Sequence, residues 1–208
     1  MAMTFPNAFA GIEKIHLALI LALMGKAAIV AGEAFSRIAT GSIMGLAAVI
    51  GYMLICIAFI IELTGLYTAS KDEPLFKRAF IFAIAGAAAP VLAIAASGWL
   101  VSLSQTVSSV ASFLVTFYVI KGIIALAHRI GDPAVVQKGE GRIVIIVAAR
   151  ACSLLASSLG QHIPAGTAAI VFEIIAHASA FVYIAVCLRF LSDAKKMLSP
   201  PRQAAAGR

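Results

Sequence analysis

Two stretches of the chain, Ile43–Ile61 and Ala79–Val101, run without a single charged residue. Each is close to the roughly 20 apolar residues with which a helix, rising 1.5 Å per residue, crosses about 30 Å of hydrocarbon. Inside that layer a backbone N–H or C=O has no water to bond, so an apolar run of this length is stable there only as a helix. The composition extends the argument to the whole chain: 62% of residues are hydrophobic and 12% charged, against roughly 45–50% and about 25% in soluble domains. Mean hydropathy is +1.03. The fold expected is therefore all-α: a polytopic transmembrane bundle of about six spanning helices, with the lipid bilayer as its first partner.

Breaks in the apolar pattern divide the chain. A short head precedes a first helix over about Ile12–Phe35, and a tight turn over Ser36–Ser42 leads to a second helix from Ile43 to about Tyr67. A charged loop, Lys71-Asp72-Glu73-Pro74, follows, and the residue before a proline is biased away from helix. The third helix, Phe76 to about Trp99, contains Ala85-Gly86-Ala87-Ala88-Ala89-Pro90. Small residues let backbones approach closely in lipid, which puts this helix at the bundle centre, kinked at Pro90. Ser102–Ser109 reads as a turn, Val107–His128 as the fourth helix, and His128–Arg142 as a polar loop. The fifth helix follows over Arg142 to about Leu159, with Ala148, Cys152, Ala156 and Gly160 forming a packing stripe. After a turn at Gln161–Gly166 comes the sixth, from Ala165 to about Leu191. Residues 1–191 thus form one transmembrane domain, and 192–208 a flexible basic tail. Lys14, Arg78 and Arg142 each open an odd-numbered helix at a spacing of 64 residues, as three helical hairpins would require.

The formal net charge of +7 arises from basic residues gathered in alternate loops. By the positive-inside rule those loops and both termini belong to the cytoplasmic side of the cell (inner) membrane. No basic cluster is interleaved with aromatics, so nucleic acid is not an expected partner. The apolar run from Ile15 is interrupted by Lys26 and Glu33 where a cleavable signal would end, and it reads as a retained span. Cys56, Cys152 and Cys187 all fall within apolar runs, and an odd count without loop members reads as buried free thiols.

Chemistry must come from polar groups inside the spans: Lys26, Glu33, Glu62, Lys121, Arg150, Glu173 and His177. A charge at the bilayer centre costs about 2.5–3.5 kcal/mol on insertion scales, so each needs a partner or a purpose. Glu33 has Arg37 at i+4, a local surface pair, and Glu62 lies near the inner boundary. Lys26 and Glu173 lie at similar depth on the first and last helices. They read either as a structural pair or as part of a transport or proton path. Lys121 and Arg150 stand about eight residues from the loop that joins their helices. Two readings apply to them: snorkelling to the interface, or a basic pair that holds an anion or lipid headgroup. Glu173 and His177 share a face of the sixth helix, but no further ligand is well placed, so neither a metal nor another cofactor is expected. No hydrolase, metalloprotease or phosphate-loop motif occurs.

Six helices in about 200 residues identify no family. The leading functional expectation is a small-solute or ion transporter, or a membrane subunit of a transport complex, with Lys26, Glu173, His177, Lys121 and Arg150 along a polar path. The alternative is a non-catalytic structural or assembly subunit of a membrane complex or homo-oligomer. An intramembrane enzyme ranks third, since the loops leave no room for a soluble catalytic domain.

Overall fold

The computed structural model describes residues 5–36, 42–93, 99–162 and 166–199, which are helical apart from short turns and include no strand. Among the described residues six helices follow one another: α1 (Pro6–Ser36), α2 (Ser42–Ala69), α3 (Pro74–Ala93), α4 (Trp99–Ile130), α5 (Pro133–His162) and α6 (Thr167–Leu198). Among the described residues α1, α2, α3, α4 and α6 contain segments long and apolar enough to cross a membrane. The remaining helix, α5, is 30 residues long and packs along α6. The helices pair as three hairpins, α1–α2, α3–α4 and α5–α6. Contacts of α2 with α3, α4 with α5 and α6 with α1 close the set into a ring. Large apolar side chains such as Met53, Ile60, Val144, Leu155 and Ile174 stand on the outside, the arrangement lipid favours over water.

Glycine brings the first hairpin together. A Cβ on Gly25 would stand 2.7 Å from the Gly51 carbonyl oxygen, and one on Gly65 would stand 2.8 Å from that of Gly11. The same antiparallel register sets Ala18 opposite Ala58, and both are buried. Small residues thus recur every seven positions on both helices, at 11, 18 and 25 and at 51, 58 and 65. A seven-residue period keeps one face turned to its partner along the pair.

At one end of the ring the helices are laced by polar side chains. Asp72, in the α2–α3 turn, accepts hydrogen bonds from the Asn7 side-chain amide at 2.9 Å and the Ala8 backbone N–H at 2.7 Å. A carboxylate there satisfies an orphan donor and faces the positive end of the α1 dipole. Its neighbour Glu73 is 2% exposed and pairs with Arg129 of α4 at 2.7 Å. Asp193 of α6 takes Arg142 of α5 at 3.1 Å, and Lys195 reaches Glu13 of α1 at 3.3 Å.

Several boundaries differ from the sequence expectation, each for a local reason. The polar loop expected over His128–Arg142 shrinks to Gly131 and Asp132. Gly131 takes a positive φ of 78°, and its N–H caps the Ala127 carbonyl of α4. Asp132 accepts the Val135 N–H at 3.1 Å, and Pro133 opens α5, which is the usual order of glycine stop, acidic cap and proline start. The turn expected at Ser102–Ser109 is helix instead. Ser104 returns its hydroxyl proton to the Val101 carbonyl, so a serine-rich stretch need not leave the helix. Residues 192–198, assigned to the tail, form the last turns of α6, where Asp193 and Lys195 are ion-paired.

The most buried helix is α4, not α3. Ala85, Ala88 and Pro90 are exposed, and of that small-residue run Gly86 is the buried contact, against Ala111. Ala148 and Cys152 also face outward, so their stripe is not a closed seam, and Cys56 is exposed as well; of the three free thiols only Cys187 is buried. The Glu33–Arg37 pair, the turn at Ser36–Ser42, the centre of the Gln161–Gly166 turn and the end of the tail lie outside the described residues.

Two glycines separate packing from propensity. Gly51→Leu drives a side chain into the Gly25 carbonyl and is expected to lower the melting temperature by 10 °C or more, or to abolish recovery of folded protein. Gly141→Ala meets no atom within 4 Å and replaces a helical glycine, a gain of up to about 1 kcal/mol. Thermal melting in mild detergent checks both; equal effects would contradict the glycine seam.

Candidate functional site

A second polar group lies in the body of the bundle. Tyr183, near the middle of α6, is 9% exposed, and its hydroxyl forms a short hydrogen bond with Thr116 Oγ1 of α4. Those two helices are not ring neighbours, so this bond crosses the interior. The Arg150 guanidinium of α5 lies over the Tyr183 ring, 5.7 Å from its centroid, a cation–π contact that strengthens away from water. Arg150 Nε is buried without a hydrogen-bond partner among the described residues. Lys26 of α1 stands within electrostatic reach of Arg150. Toward the laced end, Glu62 of α2 and Cys187 of α6 share the electrostatic surroundings of Tyr183. Side chains from α1, α2, α4, α5 and α6 therefore converge here.

The depth of Arg150 decides how this group is read. With α5 starting at Pro133, Arg150 lies seventeen residues in, roughly 25 Å by helical rise. The eight residues expected from sequence place it within snorkelling reach of the interface; in the structure the side chain turns inward instead, with its guanidinium over Tyr183 and Nε buried. Lys121 behaves differently. It lies nine residues before the end of α4, roughly 14 Å, and is exposed with its ammonium 5.9 Å from the centroid of the Phe117 ring. The structure thus turns Lys121 outward and Arg150 inward.

No ion pair joins Lys26 to Glu173 among the described residues. Among the described residues Lys26 forms no ion pair, and its electrostatic neighbour is the like-charged Arg150. Glu173 pairs with His177 of its own helix at 4.0 Å, with both side chains about one-third exposed. No group of three or more potential metal ligands occurs among the described residues.

Tyr183 and Thr116 are not singled out by sequence, and Glu62 is named there only as an acid near the inner boundary. The first two are uncharged and lie in apolar runs. The only sequence signal was that a tyrosine deep in a span must find a partner for its hydroxyl. Glu62 looked like an interfacial acid. Its electrostatic influence on Tyr183 and Cys187 depends on the placement of α6, more than 100 residues further on.

The Thr116–Tyr183 bond is expected to couple measurably. In a double-mutant cycle of Thr116→Val and Tyr183→Phe, unfolding in mixed micelles should give a coupling of about 1 kcal/mol. Strict additivity would mean that the bond adds nothing to stability.

Comparison with family models, curated proteins and solved structures gives no match. The fold and the apolar spans define the class: a polytopic, all-helical integral membrane protein.

Proposed function

We propose that this membrane protein is a small transporter, or the membrane subunit of a transport complex, and that its binding step is capture of a small anion by Lys26 and Arg150. One observation carries the reading. Two cations lie within electrostatic reach of each other inside the bundle, neither is ion-paired to a carboxylate among the described residues, and Arg150 Nε has no hydrogen-bond partner. Like charges in a medium of low dielectric repel strongly, and a bound anion between them relieves both the repulsion and the unsatisfied donor. An arginine suits this role because its fork can bind a carboxylate or phosphate through two hydrogen bonds. Tyr183 and Thr116 would form one wall of the site. Glu173 and His177, ten and six residues from Tyr183 toward the far end of α6, would line the approach. The laced end, with its excess of basic residues, is assigned to the cytoplasmic face of the inner membrane, and both termini with it.

The test is uptake into proteoliposomes of labelled chloride, phosphate and acetate. Uptake of at least one of them by the wild type is expected. Arg150→Gln and Lys26→Gln should each lower its initial rate at least tenfold while the protein stays monodisperse. Lys196→Gln, on the exposed end of α6, serves as the comparison and should retain the wild-type rate. No uptake of any of the three, or equal rates in all variants, would overturn the proposal.

A non-catalytic assembly subunit remains the second reading, favoured by one feature. Between α5 and α6 runs an open apolar groove of about 400 Å³, lined by Ala148, Cys152, Leu155 and Phe172 among others. A second copy or another membrane subunit seated there would make a cysteine at position 152 cross-linkable, whereas a lone active monomer would count against this reading.

A further inference from the structure

The α3–α4 hairpin carries a cation–aromatic surface that the proposed transport site does not use. Arg78 of α3 lies over the Tyr118 ring of α4, 5.9 Å from its centroid, and Lys121 lies over Phe117 at the same distance. The rings form one assembly. Tyr118 stacks on Phe82 at 5.5 Å with an interplanar angle of 7°, and meets Phe117 edge-on at 5.7 Å. Both cations are exposed, and neither is ion-paired among the described residues. The rings orient them without neutralising them.

Their depth indicates what they face. The 32 residues of α4 extend roughly 48 Å, about 18 Å more than the hydrocarbon is thick. Its charged residues lie toward one end, while Trp99–Ser109 has none. The surplus length therefore emerges at the charged end, which puts the hydrocarbon boundary near Tyr118, roughly 18 Å from Ile130. Lys121, at roughly 14 Å, falls in the headgroup layer, and tyrosine is enriched at that boundary. Beyond it the hairpin presents exposed Ile81, Ile84 and Val110, a surface for acyl chains.

We infer that Arg78 and Lys121 hold the phosphate of an acidic phospholipid across the α3–α4 seam. Its acyl chains would run along the apolar face above the stacked rings. A phosphate offers acceptor oxygens to both cations, and a diester joined to two chains matches both the charge and the apolar surface next to it. A freely diffusing phosphate matches only the charge.

The experiment compares melting of the full-length protein in nanodiscs of phosphatidylcholine with and without one-third phosphatidylglycerol. Wild type is expected to melt several degrees higher with the acidic lipid. Arg78→Gln/Lys121→Gln should lose at least half of that gain while keeping the wild-type melting temperature in phosphatidylcholine alone. Arg189→Gln, which removes an exposed cation on α6, should retain the full gain. Loss of the gain in Arg189→Gln to the same extent would mean diffuse attraction to the membrane and would overturn the site. So would a gain reproduced by millimolar inorganic phosphate in phosphatidylcholine discs, or the absence of any gain in wild type. If the double variant melts lower in every lipid, native mass spectrometry decides: wild type should retain bound phosphatidylglycerol, and Arg78→Gln alone should retain at least threefold less. Equal retention would overturn the assignment.

Discussion

An apolar helix in lipid gains no hydrophobic free energy by exchanging lipid tails for another apolar helix. Contact must come from close backbone approach or from polar groups, and this chain uses each in a different place. Close approach builds the first hairpin, where Gly11, Gly25, Gly51 and Gly65 leave no room for a Cβ. Polar groups join the hairpins. Asp72 and Glu73, adjacent in one turn, reach the start of α1 and the end of α4, so a single loop ties together the open ends of the first two hairpins. Asp193 and Lys195 hold α6 to α5 and α1 in the same layer. The ring closes at the end where water is available to share the cost of burying charge.

The same layer determines what the interior charges mean. Because α1, α4, α5 and α6 are each 30 residues or more, they exceed the hydrocarbon by roughly 15 Å or more. That surplus lies outside the hydrocarbon, so side-chain direction rather than distance from the helix end separates interior charges from interfacial ones. Arg150 turns inward, over the Tyr183 ring and within electrostatic reach of Lys26. Lys121 instead stands exposed on the outside of α4, over the Phe117 ring. Two basic residues that the sequence paired thus take different roles: one inside the bundle, the other toward lipid.

Much of the architecture was legible before any coordinates. The uncharged runs required helices, the Lys71–Pro74 break separated the second and third, and the spacing of Lys14, Arg78 and Arg142 suggested the hairpins. Small residues stand out in the sequence where they run together, at Ala85–Ala89, and where they recur at four-residue spacing, from Ala148 to Gly160. The heptad of single small residues on α1 and α2 is not legible in sequence, because each lies singly among apolar neighbours. Gly131-Asp132-Pro133 was a readable stop-and-start signal, obscured by the polar residues around it. The serines after Trp99 suggested a turn because a hydroxyl seeks a partner, yet a carbonyl one turn back supplies it.

The sequence by itself determined that this chain is helical, crosses a membrane and concentrates its positive charge at alternate loops, since all three follow from local composition and the lack of water in hydrocarbon. It also named the charges that need an explanation. Which of them meet was decided only by the tertiary structure. Whether Lys26 faces Glu173 or Arg150 depends on the rotation of α1 against α5 and α6, and a 3.6-residue period specifies a face without naming the helix opposite. The basic pair in the interior and the cation–aromatic platform outside it are therefore products of packing, fixed by glycine contacts and by carboxylates at one end of the ring.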